Sequence, residues 1–183
     1  MLTFIAHLTQ SVFHFNRNLL LAGSMLTAAT TITSCSNQNN AHDAAAVTAQ
    51  NDSIEARQMA KEETFLAQKA KEPGVQSLGG GLLYKVLRAG NGAQPTSTSM
   101  VTVDYEGKLI DGTIFDSSYQ RGEPASFPVS GVVAGWQIAL KAMHIGDEWE
   151  VYIPQYLGYG ANGTGNIPPY STLIFRISLK SVE

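Results

Sequence analysis

FPVSGVVAGWQIALKAMHIGDEWEVYI, residues 127–153, is the stretch around which the fold is predicted to form. Its middle part carries apolar residues at the i, i+3, i+4 and i+7 spacing of one helix face, namely Trp136, Ala139, Leu140 and Met143. Gly146 and Asp147 are predicted to end this helix. Beyond them, apolar and polar side chains alternate from Trp149 to Ile153, which is the period of a strand with one buried face. The stretch therefore predicts a short helix that lies on a sheet and begins near a large indole.

Further strands are predicted on both sides of this stretch. Apolar and polar residues alternate over residues 101–109, and Asp111 with Gly112 forms a tight hairpin turn to a returning strand at 113–116. The other predicted strands are residues 82–88, 127–129 and 173–179. Residues 154–169, rich in Gly and Pro, are predicted to form a long loop, and such loops are often functional. The fold class is therefore α+β, a curved, mostly antiparallel sheet of five or six strands wrapped around one short helix.

Residues 1–34 are predicted to be a secretory signal peptide. Residues 18–34 are apolar and small, but too rich in Thr and Ser for a membrane span, which needs about 20 strongly apolar residues. ITSC at residues 32–35 resembles a bacterial lipobox, so Cys35 is the predicted site of lipid attachment. Ser36 after the cysteine favours the outer membrane, facing the periplasm. The alternatives are an uncleaved anchor and a start codon assigned too far upstream.

Residues 35–51 are predicted to be a flexible tether. They consist mostly of Asn, Gln, Ala and Thr, without the periodicity of a helix or a strand. A tether of this kind would connect a lipid anchor to a folded domain. That main domain is predicted to span residues 79–183, since it begins at a glycine-rich turn and contains the predicted strands.

Residues 52–78 are predicted to form an N-terminal helix and its linker. Asp52 and Glu55 make a capping-box pattern, strong helix formers follow, and Pro73 ends the helix. The apolar stripe on this helix is thin and comprises Ala56, Met59, Leu66 and Ala70. A thin stripe favours a partly solvated spacer. The alternative is an arm over residues 52–72 that pairs two copies of the chain as a homodimer.

Composition argues against several classes of function. The formal net charge is −3, the sequence pI is about 5.8, and no run of Lys and Arg is present, so nucleic-acid binding is not expected. Cys35 is the single cysteine, and His144 is the only histidine of the predicted main domain. Neither a metal site nor a nucleophile with its general base is therefore expected. The glycines at 79–81 precede a strand rather than a helix, which argues against a phosphate-binding loop.

Aromatic residues are the most prominent chemical feature of the main domain. They are Tyr105, Phe115, Phe127, Trp136, Tyr156, Tyr159 and Phe175, and one acid, Asp116, directly follows Phe115. An apolar pocket with a few polar groups is the general form of a ligand site. From the pattern alone, the aromatic residues could equally be ordinary core, and Asp116 could simply cap a turn.

A series of short motifs lies between Val101 and Val182. They are VDYEG (103–107), DGTIFDSS (111–118), VVAGW (132–136), IGD (145–147), YG (159–160) and IPPYSTLIF (167–175). In order and spacing they resemble the FKBP-type peptidyl-prolyl cis-trans isomerases. FLAQKAKEPGV (65–75) and GLLYKVL (81–87) are further similar to the secreted bacterial branch of that family, such as the macrophage infectivity potentiator, in which a preceding helical region pairs two subunits.

The resemblance implies a pocket whose floor is Trp136. The residues implied to act directly on the substrate are Asp116, Tyr159, Trp136 and Phe115. Those implied to bind it are Tyr105, Val132, Val133, Ile167, Phe175, Phe127 and Arg121, the last as a partner of the Asp116 carboxylate. Ala125, Thr164 and Asn166 depart from the family pattern, which bears on substrate preference.

The resemblance further implies an enzyme that speeds rotation about X-Pro bonds without a cofactor or metal. Its partners would be proline-containing peptides and unfolded proteins in the cell envelope, with the membrane reached through lipid on Cys35. The alternative function is a chaperone module of the same fold that binds proline-containing peptides with little turnover.

Overall fold

The computed structural model describes residues 38–183. Its helices are α1 (Gln38–Lys69), α2 (Ser118–Arg121) and α3 (Ala134–Ala142). Its strands are β1 (Val75–Ser77), β2 (Leu83–Arg88), β3 (Met100–Lys108), β4 (Ile114–Ser117), β5 (Ala125–Pro128), β6 (Glu148–Ile153) and β7 (Leu173–Val182). The predicted signal peptide and Cys35 lie outside the described residues.

The strands form one antiparallel sheet. Within the described residues it has seven strands in the order β1-β2-β6-β7-β3-β4, and β5 also pairs with β3. The α+β class and the antiparallel curved sheet are confirmed. The extra strand is β1, three residues that the sequence assigns to the linker, because so short a segment shows no alternation. It pairs with β2, from Val75 opposite Lys85 to Ser77 opposite Leu83, and so forms the edge strand of the sheet next to β2.

Strand β3 has two partners on the same side. Its first half, from Met100 to Val103, pairs with β5, and its second half, from Glu106 to Lys108, pairs with β4. The chain leaves the sheet between β4 and β5 to form α2. The two short strands therefore lie along one edge of β3, with β5 beside its first half and β4 beside its second half.

Helix α3 packs on the concave face of the sheet. Trp136, Ala139, Leu140 and Met143 are all at most 4 % exposed, so the predicted stripe is the buried face of the helix and its C-cap. The helix approaches β6 closely, because a Cβ on Gly135 would lie 2.4 Å from Cγ2 of Ile153. After the helix the Asp147 carboxylate accepts hydrogen bonds from the backbone N–H groups of His144 and Gly90, both at 2.6 Å. The helix ends at Ala142, before the predicted stop, and Gly146 and Asp147 lie in the turn segment that follows it.

Helix α1 packs on the opposite face of the sheet. Phe65 and Leu66 cover a small cluster formed by Leu83, Tyr152 and Ile174, and the rings of Phe65 and Tyr152 meet edge to face at 6.3 Å. The predicted stripe is only partly correct. Met59 and Leu66 are half-buried, but Ala56 and Ala70 are exposed. The sheet selects the side of the helix that carries the larger apolar groups, as burial of large apolar area predicts.

Helix α1 also begins earlier than the sequence predicts. Residues 38–51, predicted to be part of a flexible tether, are helical, and the capping-box pattern of Asp52 and Glu55 lies inside the helix. The segment is rich in Ala, the best helix former, and contains neither Gly nor Pro to stop a helix that extends from residue 52. Within residues 38–183, no helix combines the length and apolar character that crossing a membrane requires.

Candidate functional site

A pocket of about 490 Å³ opens on the concave side of the sheet, beside α3. It is lined by Tyr105, Phe115, Asp116, Phe127, Gly131, Val132, Val133, Trp136, Tyr159, Thr164, Asn166, Ile167 and Phe175. Every substrate-contacting residue implied by the resemblance lies on this lining except Arg121, which reaches it through Asp116. Tyr156, one of the candidate aromatic residues, is 63 % exposed and lies off the pocket. The structure thus brings together residues from β3, β4, β5, α3, β7 and the long loop.

The floor of the pocket is the Trp136 indole, which is 4 % exposed. Three rings meet it edge to face: Tyr105 at 5.2 Å, Phe175 at 5.1 Å and Phe127 at 5.9 Å, with interplanar angles of 85–88°. Edge-to-face contacts place the positive edge of one ring against the negative face of another, which is a preferred arrangement. The floor is therefore held from three strands and does not depend on the helix alone.

Gly107 on β3 gives the pocket its apolar wall. A Cβ at this position would lie 2.6 Å from both Cε2 of Phe115 and Cε1 of Phe175, which no real contact tolerates. Those two rings meet edge to face at 5.4 Å above the glycine. Gly107 stands in the VDYEG motif, but reading the sequence residue by residue assigns it no role. Its importance appears only once two strands bring their rings over β3.

The polar side of the pocket is formed by Asp116, Tyr105 and Arg121. The Tyr105 hydroxyl donates to Oδ2 of Asp116, and the Arg121 guanidinium donates through Nη1 to Oδ1 of Asp116 and through Nη2 to the Tyr105 oxygen, the last at 2.9 Å. The guanidinium also lies 5.3 Å from the centre of the Tyr105 ring. The predicted pairing of Arg121 with Asp116 is thus present in the structure.

Helix α2 places Arg121 in this arrangement. The Ser117 hydroxyl caps the helix by accepting from the Gln120 N–H at 3.3 Å, and Gly122 ends it in a left-handed conformation at φ 80°. The backbone N–H of Tyr105 donates to the buried Ser118 hydroxyl at 2.8 Å. One turn of helix is thereby fixed to β3, so its last residue faces the carboxylate.

These contacts determine the charge state of the site. Burial acts to raise the pKa of Asp116, but hydrogen bonds from Tyr105 and Arg121 outweigh it and hold that pKa below its usual value. Burial, followed by the hydrogen bond to Asp116, raises the pKa of Tyr105. At neutral pH the site therefore presents a carboxylate whose hydrogen-bonding partners are a neutral phenol and a cation.

The long loop closes the other side of the pocket. Thr164 and Ile167 exchange backbone hydrogen bonds at 3.0 and 2.8 Å, which makes a tight turn with Gly165 and Asn166 at its tip. Ile167 is 7 % exposed. Tyr159 is 40 % exposed, and its hydroxyl has no hydrogen-bond partner among residues 38–183, so it is available to a ligand. Thr164 and Asn166, two of the three departures from the family pattern, lie on the pocket lining, whereas Ala125 does not.

Gly131 is the lining residue that the sequence analysis did not single out. It lies in the short 3₁₀ turn at residues 129–131 that precedes α3. A glycine in a loop carries no chemical signal of its own, so no pattern could have identified it.

Within residues 38–183, no group of three His, Cys, Asp or Glu side chains is placed to hold a metal ion.

Comparison with known proteins places this geometry in a family. A protein-family model described as FKBP-type peptidyl-prolyl cis-trans isomerase matches residues 91–180. A second family model, described as the domain amino terminal to FKBP-type peptidyl-prolyl isomerase, matches residues 5–86. The crystal structure of FkpA from Escherichia coli superposes with a TM-score of 0.72 at 40 % identity, covering 79 % of this chain and 68 % of that one.

Curated relatives agree with the structural match. The peptidyl-prolyl cis-trans isomerase Mip of Coxiella burnetii is 52 % identical over 124 residues, which are 67 % of this chain and 54 % of the relative. The outer membrane protein MIP of Legionella longbeachae is 48 % identical over 125 residues, 68 % of this chain and 54 % of the relative. The chain thus spans little more than half the length of these relatives. It belongs to the FKBP-type peptidyl-prolyl cis-trans isomerase family.

The hydrogen bond from Tyr105 to Asp116 makes a testable prediction about charge. Tyr105→Phe removes a donor that stabilises the ionised carboxylate, so the pKa of Asp116 is expected to rise towards its usual value. Carbon-detected NMR titration of the aspartate carboxyl groups measures the shift. Tyr84→Phe is the control, because the Tyr84 hydroxyl donates to Gln76 and not to a pocket residue. An Asp116 pKa equal in wild type and Tyr105→Phe would show that the phenol does not stabilise the charge.

Proposed function

We propose that the chain catalyses cis-trans isomerisation of X-Pro peptide bonds. The observation that carries this proposal is the pocket itself, an aromatic floor and walls with one oriented carboxylate on its polar side. Rotation about an X-Pro bond breaks no covalent bond and passes over a barrier of roughly 20 kcal/mol, because the twisted amide loses its resonance. An enzyme for this reaction therefore needs to bind the twisted amide better than the planar one.

The apolar floor supports the first part of this reaction. Water stabilises the planar, dipolar amide more than the twisted one, so a proline ring seated on Trp136 between Phe115 and Phe175 leaves the planar ground state less favoured. Trp136 and Phe175 are each at most 5 % exposed before any ligand binds. The floor is thus already assembled and needs little rearrangement to receive a proline.

The polar groups supply orientation and a local field. The Tyr159 hydroxyl, free of partners in the described residues, donates a hydrogen bond to a substrate carbonyl and fixes the direction of the peptide. Asp116 acts electrostatically near the rotating carbonyl, since Tyr105 and Arg121 hold the carboxylate in one place. The substrates proposed are proline-containing peptides and unfolded proteins whose folding waits on proline isomerisation.

Catalysis is tested by comparing the two buried tryptophans. Trp136 and Trp149 are 4 % and 6 % exposed, and the indole N–H of each lacks a hydrogen-bond partner in the described part of the chain, but only Trp136 lines the pocket. Trp136→Leu is expected to lower kcat/KM for a Leu-Pro or Phe-Pro peptide by about tenfold or more, because the floor is lost. Trp149→Leu, which removes a similar buried area, is expected to retain most of the activity.

The assay follows relaxation of the cis-proline population after a solvent jump, with circular dichroism confirming that each variant is folded. A wild-type chain that leaves the uncatalysed rate unchanged would contradict the proposed enzyme. If such an inactive chain still suppressed aggregation of an unfolded protein, and Trp136→Leu abolished that suppression, the chaperone function would take its place. Equal loss of activity in both folded tryptophan variants would remove the special role of Trp136.

We also propose that the protein is held in the cell envelope by lipid on Cys35, at the outer membrane and facing the periplasm. The lipobox-like ITSC and the relative named as an outer membrane protein support this placement. Cys35 is the single cysteine in the sequence, so incorporation of radiolabelled palmitate by bacteria expressing the chain is expected to disappear in Cys35→Ala. Label that persists in Cys35→Ala would contradict attachment at that residue.

A homodimer through α1 is proposed as well, with residues 52–69 of the predicted 52–72 arm lying in this helix. Val47 and Ile54, which lie two helical turns apart on one face, are 57 % and 55 % exposed, and apolar groups in such a row suit a second copy of the helix. Sedimentation equilibrium is expected to give twice the chain mass for the wild type. Val47→Lys with Ile54→Lys is expected to give a monomer, and Asp52→Lys, on the opposite face, a dimer. A monomeric wild type at micromolar concentration would contradict pairing.

A further inference from the structure

Helix α1 makes polar contacts with the segment that leads into β7. Glu62 is 4 % exposed, and its two carboxylate oxygens are both used. Oε2 accepts from the backbone N–H of Thr172 at 3.0 Å, and Oε1 accepts from Nε2 of Gln58 at 2.6 Å. Thr172 is fully buried, so no water replaces this acceptor. A charged side chain enclosed between a helix and a sheet is costly unless it is paired, which makes this contact specific.

A second carboxylate, Glu55, reaches the same segment from about two helical turns away. The Tyr170 hydroxyl donates to Oε2 of Glu55 at 2.9 Å. Tyr170 has φ 59° and is the only residue other than glycine with a positive φ in the part of the chain that the structure describes. A bulky residue adopts this conformation only when its surroundings hold it there. Glu55 and the fixed backbone on either side of Tyr170 supply such restraint.

The segment held by α1 is continuous with the pocket loop. The N–H of Tyr170 donates to the carbonyl of Gly160 at 2.8 Å, and Gly160 directly follows Tyr159. The Ser171 hydroxyl donates to the carbonyl of Pro168 at 2.8 Å, and Pro168 directly follows Ile167. The pocket residues Tyr159 and Ile167 are therefore each followed in the chain by a residue that is hydrogen-bonded to Tyr170 or Ser171. Helix α1 itself lies on the other face of the sheet and contributes no side chain to the pocket lining.

We propose that Glu62 and Glu55 of α1 are positioning residues for the substrate pocket. By holding Tyr170 and Thr172 they fix residues 158–172, and with them the placement of Tyr159 and Ile167 against a bound peptide. The effect on peptide binding rests on the proposed isomerase function, whereas the restraint of residues 158–172 by α1 does not. The helix thus has a use beyond spacing the domain from its anchor or pairing two chains.

The test uses the full chain with substitutions on both sides of the contact. Glu62→Ala leaves the Thr172 N–H buried without an acceptor, whereas Glu62→Gln keeps an acceptor oxygen for it. Tyr170→Phe removes only the hydroxyl that donates to Glu55 and leaves the buried contact between Glu62 and Thr172 intact. This variant therefore remains informative if Glu62→Ala folds poorly. Glu63→Ala is the matched control, since Glu63 is the exposed neighbour on the same helix.

Two readouts separate positioning from general stability. Amide hydrogen exchange is expected to increase over residues 158–172 in Glu62→Ala and Tyr170→Phe, and to stay unchanged in β3. In the isomerase assay KM is expected to rise about fivefold, the loss of roughly one hydrogen bond, with a smaller change in kcat, because Trp136 and Asp116 stay in place. Glu62→Gln is expected to restore most of both properties, and Glu63→Ala to match the wild type.

Other outcomes would overturn the proposal. Unchanged exchange over residues 158–172 in folded Glu62→Ala and Tyr170→Phe would show that α1 does not hold the loop. Exchange that increased equally in β3 and in the loop would show a general loss of stability. A wild-type chain without isomerase activity would refute the proposed function, yet the exchange experiment would still decide whether the helix positions the loop.

Discussion

The enclosure of the Trp136 indole by three edge-on rings is the contact on which the rest of this structure depends. Tyr105, Phe127 and Phe175 come from β3, β5 and β7, so their meeting on one side chain of α3 requires a sheet that curves around the helix. The close approach at Gly135 and the close packing of two rings over Gly107 follow from the same curvature. Packing and pocket therefore have one origin. A change that flattened the sheet would remove the core and the site together.

The charge in the pocket is restrained in a different way. Asp116 is partly exposed, and a free carboxylate there would rotate and recruit water. Tyr105 and Arg121 each occupy one of its oxygens and are themselves hydrogen-bonded to each other, so the group behaves as a single unit. An oriented charge beside an apolar floor suits a reaction that changes the direction of an amide dipole without breaking a bond.

The two faces of the sheet carry different kinds of interaction. The concave face is almost entirely apolar, whereas the outer face combines the small cluster under Phe65 with the buried Glu62. A buried carboxylate contributes little net stability compared with an apolar side chain, but it specifies one position of the helix. Placed next to the segment that carries pocket residues, such specificity links the amino-terminal helix to the site. Helix α1 and the segment that carries the pocket residues are in this respect structurally coupled.

The sequence by itself determined the strands with strict alternation, the stripe of α3, the turn after it and the identity of nearly every pocket residue. Each of these is a local pattern or belongs to a motif whose spacing survives in the chain. Only the tertiary structure decided the edge strand β1, the role of Gly107 and the burial of Glu62. In the sequence, Glu62 is indistinguishable from a solvent-exposed charged residue of a helix, and its partner Thr172 lies 110 positions away. Contacts of that range exist only after the sheet has formed, because they depend on the surface that folding creates.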